Sequence, residues 1–319
     1  MKKIVIITGD PNSINSELIV KSWNKLNQSI KKKIYLIGSY DLIKKQLKKL
    51  KYSIQLVKLD SFQDKIDHKK INIVNIDLKF KDPFKVSKKS AAKFVRKSLN
   101  MAHNLCQKKN IEGFINCPVN KNLLPNKAGV TEYLALKNNI KKNSEVMLIR
   151  NKNLSVVPIT THVKINKISK NIKYNLIKIK ILTLNNWFKK HFKKKPRIGV
   201  LGLNPHNAEF SKDSEELKII LPAIRFLKKK GINLTGPLVA DTLFINGYKK
   251  YDVIVGMYHD QVLAPFKTLY KFDAINITLG LNYLRASPDH GVATNIIKKF
   301  KANPTSLLKC INFFNKFKK

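Results

Sequence analysis

No apolar run in this 319-residue sequence approaches the ~20 residues that a bilayer-spanning helix needs. A helical membrane protein is thereby excluded. The start, MKKIVIITGD, is basic, but its apolar run is too short for a signal peptide and stops at Gly-Asp, so it reads as a first strand. Cysteine is scarce. Cys106, Cys117 and Cys310 lie far apart, are odd in number and form no C-x-x-C pair. That argues against a disulfide framework or a zinc knuckle and predicts reduced thiols in a cytoplasmic protein. Glycine fingerprints are missing too. Without G-x-G-x-x-G, G-x-x-x-x-G-K-[ST] or G-x-S-x-G, a standard Rossmann site, a P-loop and a nucleophile elbow have no support.

Acidic residues are also few: 20 Asp and Glu against 63 Lys and Arg, a formal net charge of +43. A nucleic-acid-binding protein would gather such charge on an arm or a face. Here lysine is dispersed through IKKKIYLIG, LIKKQLKKLK and HFKKKPR, and Ile and Asn, which share its A/T-rich codons, are plentiful. Codon composition is the simpler explanation, and no nucleic-acid partner is expected. The charge still favours anionic ligands.

What the sequence does contain is alternation of strands and helices. Strands are expected at KIVIIT, KIYLIG, SIQLVKL, INIVNI, GFINCPV, EVMLI, LSVVPIT, RIGVLGL, DVIVGM and AINITL. Helices are expected near 16–28, 40–50, 88–109, 166–191, 214–230, 289–300 and 304–318, with caps at Asn15 or Ser16, at Ser87, and at Asp213 or Ser214. The pattern predicts an α/β fold with a mainly parallel sheet covered on both faces. No linker separates domains, so two interleaved domains are expected.

Three of the seven histidines share one context: each follows a buried-strand pattern, His162 after LSVVPITT, His206 after RIGVLGLNP and His259 after DVIVGMY. Ligands of open parallel sheets bind outside the carboxyl ends of strands. Three neutral imidazoles placed there can converge on a divalent metal with an open position, zinc being the usual occupant. Alone, each would read as a hydrogen-bonded loop residue. His68, His103 and His191 read as surface residues. Asp241 is either an N-cap or, beside a metal, a general base. Lys267 and Arg285 are either surface charges or clamps for a phosphate and a carboxylate.

The blocks ITGDP with SEL, GVTEYLA, TTH, GLNPHNAE, GPLVADTLF, MYHDQ, NITLGL and R-x-S-x-DHG stand in the order and spacing of a known family. Over nearly its whole length the chain resembles the 4-hydroxythreonine-4-phosphate dehydrogenases of vitamin B6 biosynthesis. The resemblance implies a fold like that of isocitrate and isopropylmalate dehydrogenases. Its two α/β domains would be 1–133 with 290–319, on the cofactor side, and 134–289, for metal, substrate and dimerisation. It implies a homodimer with its active site at the interface. It also implies NAD- or NADP-dependent oxidation and decarboxylation of 4-phosphooxy-L-threonine to 3-amino-2-oxopropyl phosphate, with a divalent metal (zinc, magnesium or cobalt). The metal ligands fall on His162, His206 and His259, the substrate contacts on Thr131, Lys267, Asn276 and Arg285. The cofactor loop falls on Asp289, His290 and Gly291, which answers the missing glycine fingerprint; Lys298 and Lys299 lie near it. Asp241 is the candidate proton acceptor, with Lys267 the second catalytic candidate.

The chain departs from the family at Val130 and Asn120, each in place of a histidine, at Val262 in place of a glycine, and in glycine-poor loops after GDP and NPH. Valine neither ionises nor donates a hydrogen bond. These departures bear on substrate identity more than on reaction type. A dehydrogenase of another phosphorylated hydroxy acid, such as a four-carbon sugar-acid phosphate, is the alternative. A phosphate acyltransferase on a related fold would need neither metal nor nicotinamide, and the three histidines count against it.

Overall fold

All ten expected strands form, and two more join them. The computed structural model describes residues 3–64, 66–127, 129–140 and 143–317. In chain order its strands are β1 (Ile4–Ile7), β2 (Ile34–Gly38), β3 (Leu56–Leu59), β4 (Ile71–Asn75), β5 (Gly113–Asn116), β6 (Val146–Arg150), β7 (Ser155–Thr160), β8 (Ile198–Leu201), β9 (Leu234–Leu238), β10 (Val253–Tyr258), β11 (Ile275–Leu279) and β12 (Leu284–Pro288). The chain divides into two compact units, 1–137 with 282–317, and 138–281. It returns to the first unit at Asn282 rather than at 290, so Arg285 and Asp289 belong to the first unit.

In the first unit the strands run β3-β4-β2-β1-β5-β12, and every neighbouring pair is parallel. The buried IVII of β1 and IYLIG of β2 are the continuous apolar strands of a sheet covered on both faces. The Lys88–Gln107 helix starts as expected, with Ser87 Oγ accepting from the Ser90 N–H. It buries Ala91, Phe94, Val95, Ser98, Leu99, Ala102, His103 and Cys106 along one face. His103 is therefore not a surface residue. Its Nδ1 lies 3.0 Å from the Tyr283 hydroxyl, and burial lowers its pKa. Neither Asn15 nor Ser16 caps the first helix. The cap position is Ile14, and Asn15 instead donates its amide to Thr8 O and Pro118 O. All three cysteines are buried free thiols.

In the second unit the order is β11-β6-β7-β10-β8-β9, parallel except that β6 opposes both of its neighbours. The His259–Tyr270 helix follows β10 without a loop. Its Val262, Leu263 and Phe266 pack with Ile149, Val156, Leu201 and Ile254. Each such burial contributes about 1.5–3 kcal/mol before ordering costs. Ser214 Oγ accepts from the Leu217 N–H at the start of the next helical stretch, the bond expected of a cap there. His191 is half-buried against Trp187, with ring centroids 5.0 Å apart, and burial with two nearby lysines lowers its pKa to about 4. It too is more than a surface residue. Residues 289–300 form only the short 3-10 turn Thr294–Ile296, not the expected helix. No helix among the described residues is long and apolar enough to cross a membrane.

Candidate active site

The register within the second unit sets the ends of its central strands side by side. Tyr258 pairs with Thr160, and Val255 pairs with Val157 on one side and Val200 on the other. Polar side chains then tie these ends together. Thr160 Oγ1 donates to Met257 O at 2.8 Å. Gln261 Oε1 accepts from the Met257 N–H at 2.7 Å, while its amide donates to Gly202 O at 2.8 Å. Gly256 makes room for this fastening, since a Cβ there would lie 2.5 Å from Val262 Cγ1 and 2.9 Å from Gln261 Oε1. Valine at 262, a departure from the family, fills that space.

His259 is the first residue of its helix, and His162 stands two residues beyond β7. Their ring centroids are 6.0 Å apart. With metal–nitrogen bonds of about 2.0 Å, two imidazoles at this separation can share one small cation. His259 Nδ1–H donates to Asp260 Oδ1 at 2.7 Å. A carboxylate on one ring nitrogen leaves the other for a metal.

His206 is presented differently. It opens five consecutive non-glycine residues with left-handed backbone, His206 to Phe210, at φ 48, 59, 48, 49 and 57°. Side-chain crowding costs roughly 1 kcal/mol or more at each such position. The turn before it is held by Glu216, fully buried, whose carboxylate accepts from the Leu203 and Asn204 N–H groups at 2.7 and 2.8 Å. Among the described residues, no group of three or more His, Cys, Asp or Glu is gathered to hold a metal. The expected convergence of three histidines thus reaches two. The third sits exposed on its left-handed turn, five residues past the end of β8. The donors fit a divalent ion in kind, and two of them fit it in spacing.

Asp241 lies exposed in the first turn of the Ala240–Leu243 helix and accepts from the Thr242 N–H; the cap position is Val239. That helix packs against the His206 segment. Lys267 is on the His259–Tyr270 helix. Eight residues of helix place it about 12 Å along the axis from His259. Asn276 is on β11 opposite Ile149, and its Oδ1 is buried with no hydrogen-bond partner among the described residues.

The first unit brings Arg285 and Thr131 together. Arg285, on β12, is 3% exposed. Its Nε–H donates to Asn116 Oδ1 at 2.7 Å and an Nη1–H to Thr131 Oγ1 at 3.3 Å. Burial lowers its pKa to about 10, so the guanidinium stays charged at neutral pH. Val130 is buried at the head of the Val130–Lys137 helix, adjacent in sequence to Thr131. Beyond β12, the Asp289 N–H donates to Ser306 Oγ, and His290 Nδ1 lies 3.0 Å from Gly291 O. A Cβ on Gly291 would meet nothing within 4 Å, so sterics do not require glycine there.

Sequence reasoning did not single out Asp10, Asn12, Lys88 and Thr294. With Asn120 they line a cavity of about 300 Å³ in the first unit. Asp10 accepts from the Asn12 and Asn120 N–H groups, and burial raises its carboxyl above the ordinary value. Gly9 turns the chain into it at φ 74°, where a Cβ would lie 2.6 Å from Pro118 O. The signal was the ITGDP turn together with Asn120.

Comparison with known proteins identifies the family. The family model described as pyridoxal phosphate biosynthetic protein PdxA matches residues 29–314. A 4-hydroxythreonine-4-phosphate dehydrogenase of Sulfurihydrogenibium sp. (strain YO3AOP1) is 36% identical, covering 98% of this chain and 97% of its own. A D-threonate 4-phosphate dehydrogenase of Pectobacterium atrosepticum is 30% identical over 96% of this chain and 97% of its own. The crystal structure of 4-hydroxythreonine-4-phosphate dehydrogenase from Klebsiella pneumoniae has a TM-score of 0.84 and 28% identity, covering 99% of both chains. At 11% identity and a TM-score of 0.50, a beta-decarboxylating dehydrogenase from Thermococcus kodakarensis shares the fold alone, over 99% of this chain and 84% of its own. The chain belongs to the PdxA family of pyridoxal phosphate biosynthetic proteins and is a dehydrogenase of that family.

Proposed function

We propose that the chain oxidises and decarboxylates 4-phosphooxy-L-threonine, with a nicotinamide cofactor and a divalent metal, to give 3-amino-2-oxopropyl phosphate. The observation that carries the reading is the pair of imidazoles, His162 and His259, 6.0 Å apart at neighbouring strand ends. With His206 they are the residues that would hold the metal, which supplies Lewis acidity to the substrate's C3 oxygen and to the ketone that follows. The cofactor, an acceptor of two electrons, is assigned to the Asp289–Gly291 loop.

The chain's own residues supply the rest. Arg285, charged and fixed by Asn116 and Thr131, binds an anionic end of the substrate without further ordering cost. Lys267 is assigned to the other anionic end. The partnerless Asn276 Oδ1 suits a substrate hydrogen-bond donor. Asp241 is assigned the proton from the C3 hydroxyl; exposed beside the His206 segment, it can pass that proton to water.

Val130 favours a second reading, in which the substrate is D-threonate 4-phosphate. An apolar side chain next to Thr131 can make no hydrogen bond where the family pattern has a histidine. A relative carrying that other activity is about as complete a match in length. Following reduced nicotinamide with each substrate, with and without chelator, tests both. Metal-dependent turnover of 4-phosphooxy-L-threonine, lost in His259→Ala, supports the first reading. Turnover of D-threonate 4-phosphate alone replaces it with the second, and turnover of neither by metal-loaded protein refutes both.

A further inference from the structure

A second cavity, of about 760 Å³, lies in the first unit between the Tyr40–Lys49 helix and the outer strand β3. None of its lining residues is assigned to the reaction. Four of the eleven are lysines (Lys44, Lys48, Lys51 and Lys70) and none is acidic. In a chain with 63 Lys and Arg among 319 residues, that is nearly twice the average density. A favourable helix dipole explains Lys48, which stands in the last turn. It does not explain Lys51 beyond the helix or Lys70 just before β4. The cations thus come from two separate pieces of chain, 44–51 and Lys70. Lys44 also lies over the Tyr40 ring at 5.7 Å, and Lys70 pairs at 3.4 Å with Asp67, outside the cavity lining.

Phosphate alone would not use the remaining walls. Tyr40 and Tyr52 contribute rings, with Leu47 and Leu56 as an apolar floor. The volume is that of a small-molecule site, of order 300–1,000 Å³. A ligand matching all three features has several negative charges and one flat, weakly polar body. We infer that this cavity binds a nucleoside polyphosphate, its phosphates on the four lysines and its base against the tyrosine rings. A bound anion there would neutralise a knot of like charges, which would stabilise the first unit.

The test is calorimetric titration of the full-length protein with ATP, without magnesium, at about 0.15 M salt, where exposed charges are screened beyond ~8 Å. Saturating NAD is present throughout, so that the cofactor's own site is filled. One equivalent of ATP is expected to bind. The Lys44→Glu/Lys48→Glu variant, exposed helix positions that tolerate glutamate, should bind it roughly tenfold or more weakly. Tyr52→Leu, tested separately, should weaken ATP and leave inorganic triphosphate unchanged. Absence of ATP binding overturns the inference, as does equal affinity in the charge-reversed variant. Triphosphate binding as tight as ATP removes the base from the proposal. Displacement of ATP by a far tighter single-stranded oligonucleotide makes the groove a nucleic-acid site instead.

Discussion

Replacing Gln261 with methionine removes two hydrogen bonds while keeping the length of the side chain. One bond is accepted from the N–H of Met257, a residue with 0% exposure; the other is given to the carbonyl of Gly202, also buried. Each backbone group left without a partner costs about 1–3 kcal/mol, so Gln261→Met should destabilise the second unit by about 2–6 kcal/mol. Gln261→Glu should fall between. A carboxylate still accepts from Met257 but cannot donate to Gly202, and in the first turn of a helix it regains about 0.3–1 kcal/mol from the dipole. The chain has two tryptophans, Trp23 in the first unit and Trp187 in the second. In a Trp23→Phe background, Trp187 fluorescence therefore follows the second unit through urea denaturation. The midpoint should fall by roughly 1–3 M in the methionine variant. A methionine variant within about 0.5 kcal/mol of its parent, or a glutamate variant below it, would mean that Gln261 does not fasten the strand ends.

Ala208→Gly should stabilise the protein by about 0.5–1 kcal/mol, since relief of left-handed crowding exceeds the added chain entropy; denaturant midpoints read this directly. The three buried thiols should resist an aromatic disulfide reagent in the native protein and react together only after unfolding; burial pushes Cys117 up to about 12 and also raises Cys106 and Cys310. His191 is depressed in the folded state, from 6.5 to about 4. The stability it contributes is thus present above pH 6.5 and lost as pH falls toward 4, because the unfolded chain binds the proton first. His191→Phe should therefore flatten the acid limb of stability against pH, measured by denaturation across that window.

Strands were legible wherever both faces are buried, because β1, β2, β7, β8 and β10 are unbroken apolar runs. β12 escaped notice because its sequence, LRASP, holds an arginine that solvent would normally claim. Partners distant in sequence, Asn116 and Thr131 among them, make that burial tolerable. The His259–Tyr270 helix was hidden by its polar start and by Pro265 inside it. The string after DHG looked helical, yet Ala293, Lys298 and Phe300 take left-handed backbone. His103 could have been placed in the core, since it shares the spacing of Val95, Leu99 and Cys106. Of the candidate site, the strand-end positions of His162 and His259 followed from pattern. The unusual seat of His206 did not: it follows a turn whose Leu203 and Asn204 N–H groups are held by Glu216, a residue distant in sequence.

The first unit is assembled from both ends of the chain, whereas 138–281 is continuous. A ribosome therefore delivers all of the second unit before β12 exists to cover the side of β5 away from β1. Synthesis of the intervening second unit, 138–281, takes roughly 7–29 s at about 5–20 residues per second. During that interval the nascent first unit waits with a parallel strand edge open and Arg285 not yet made. Truncation ahead of β12, at Asn282, would leave it permanently in that condition, exposed to pairing with other chains.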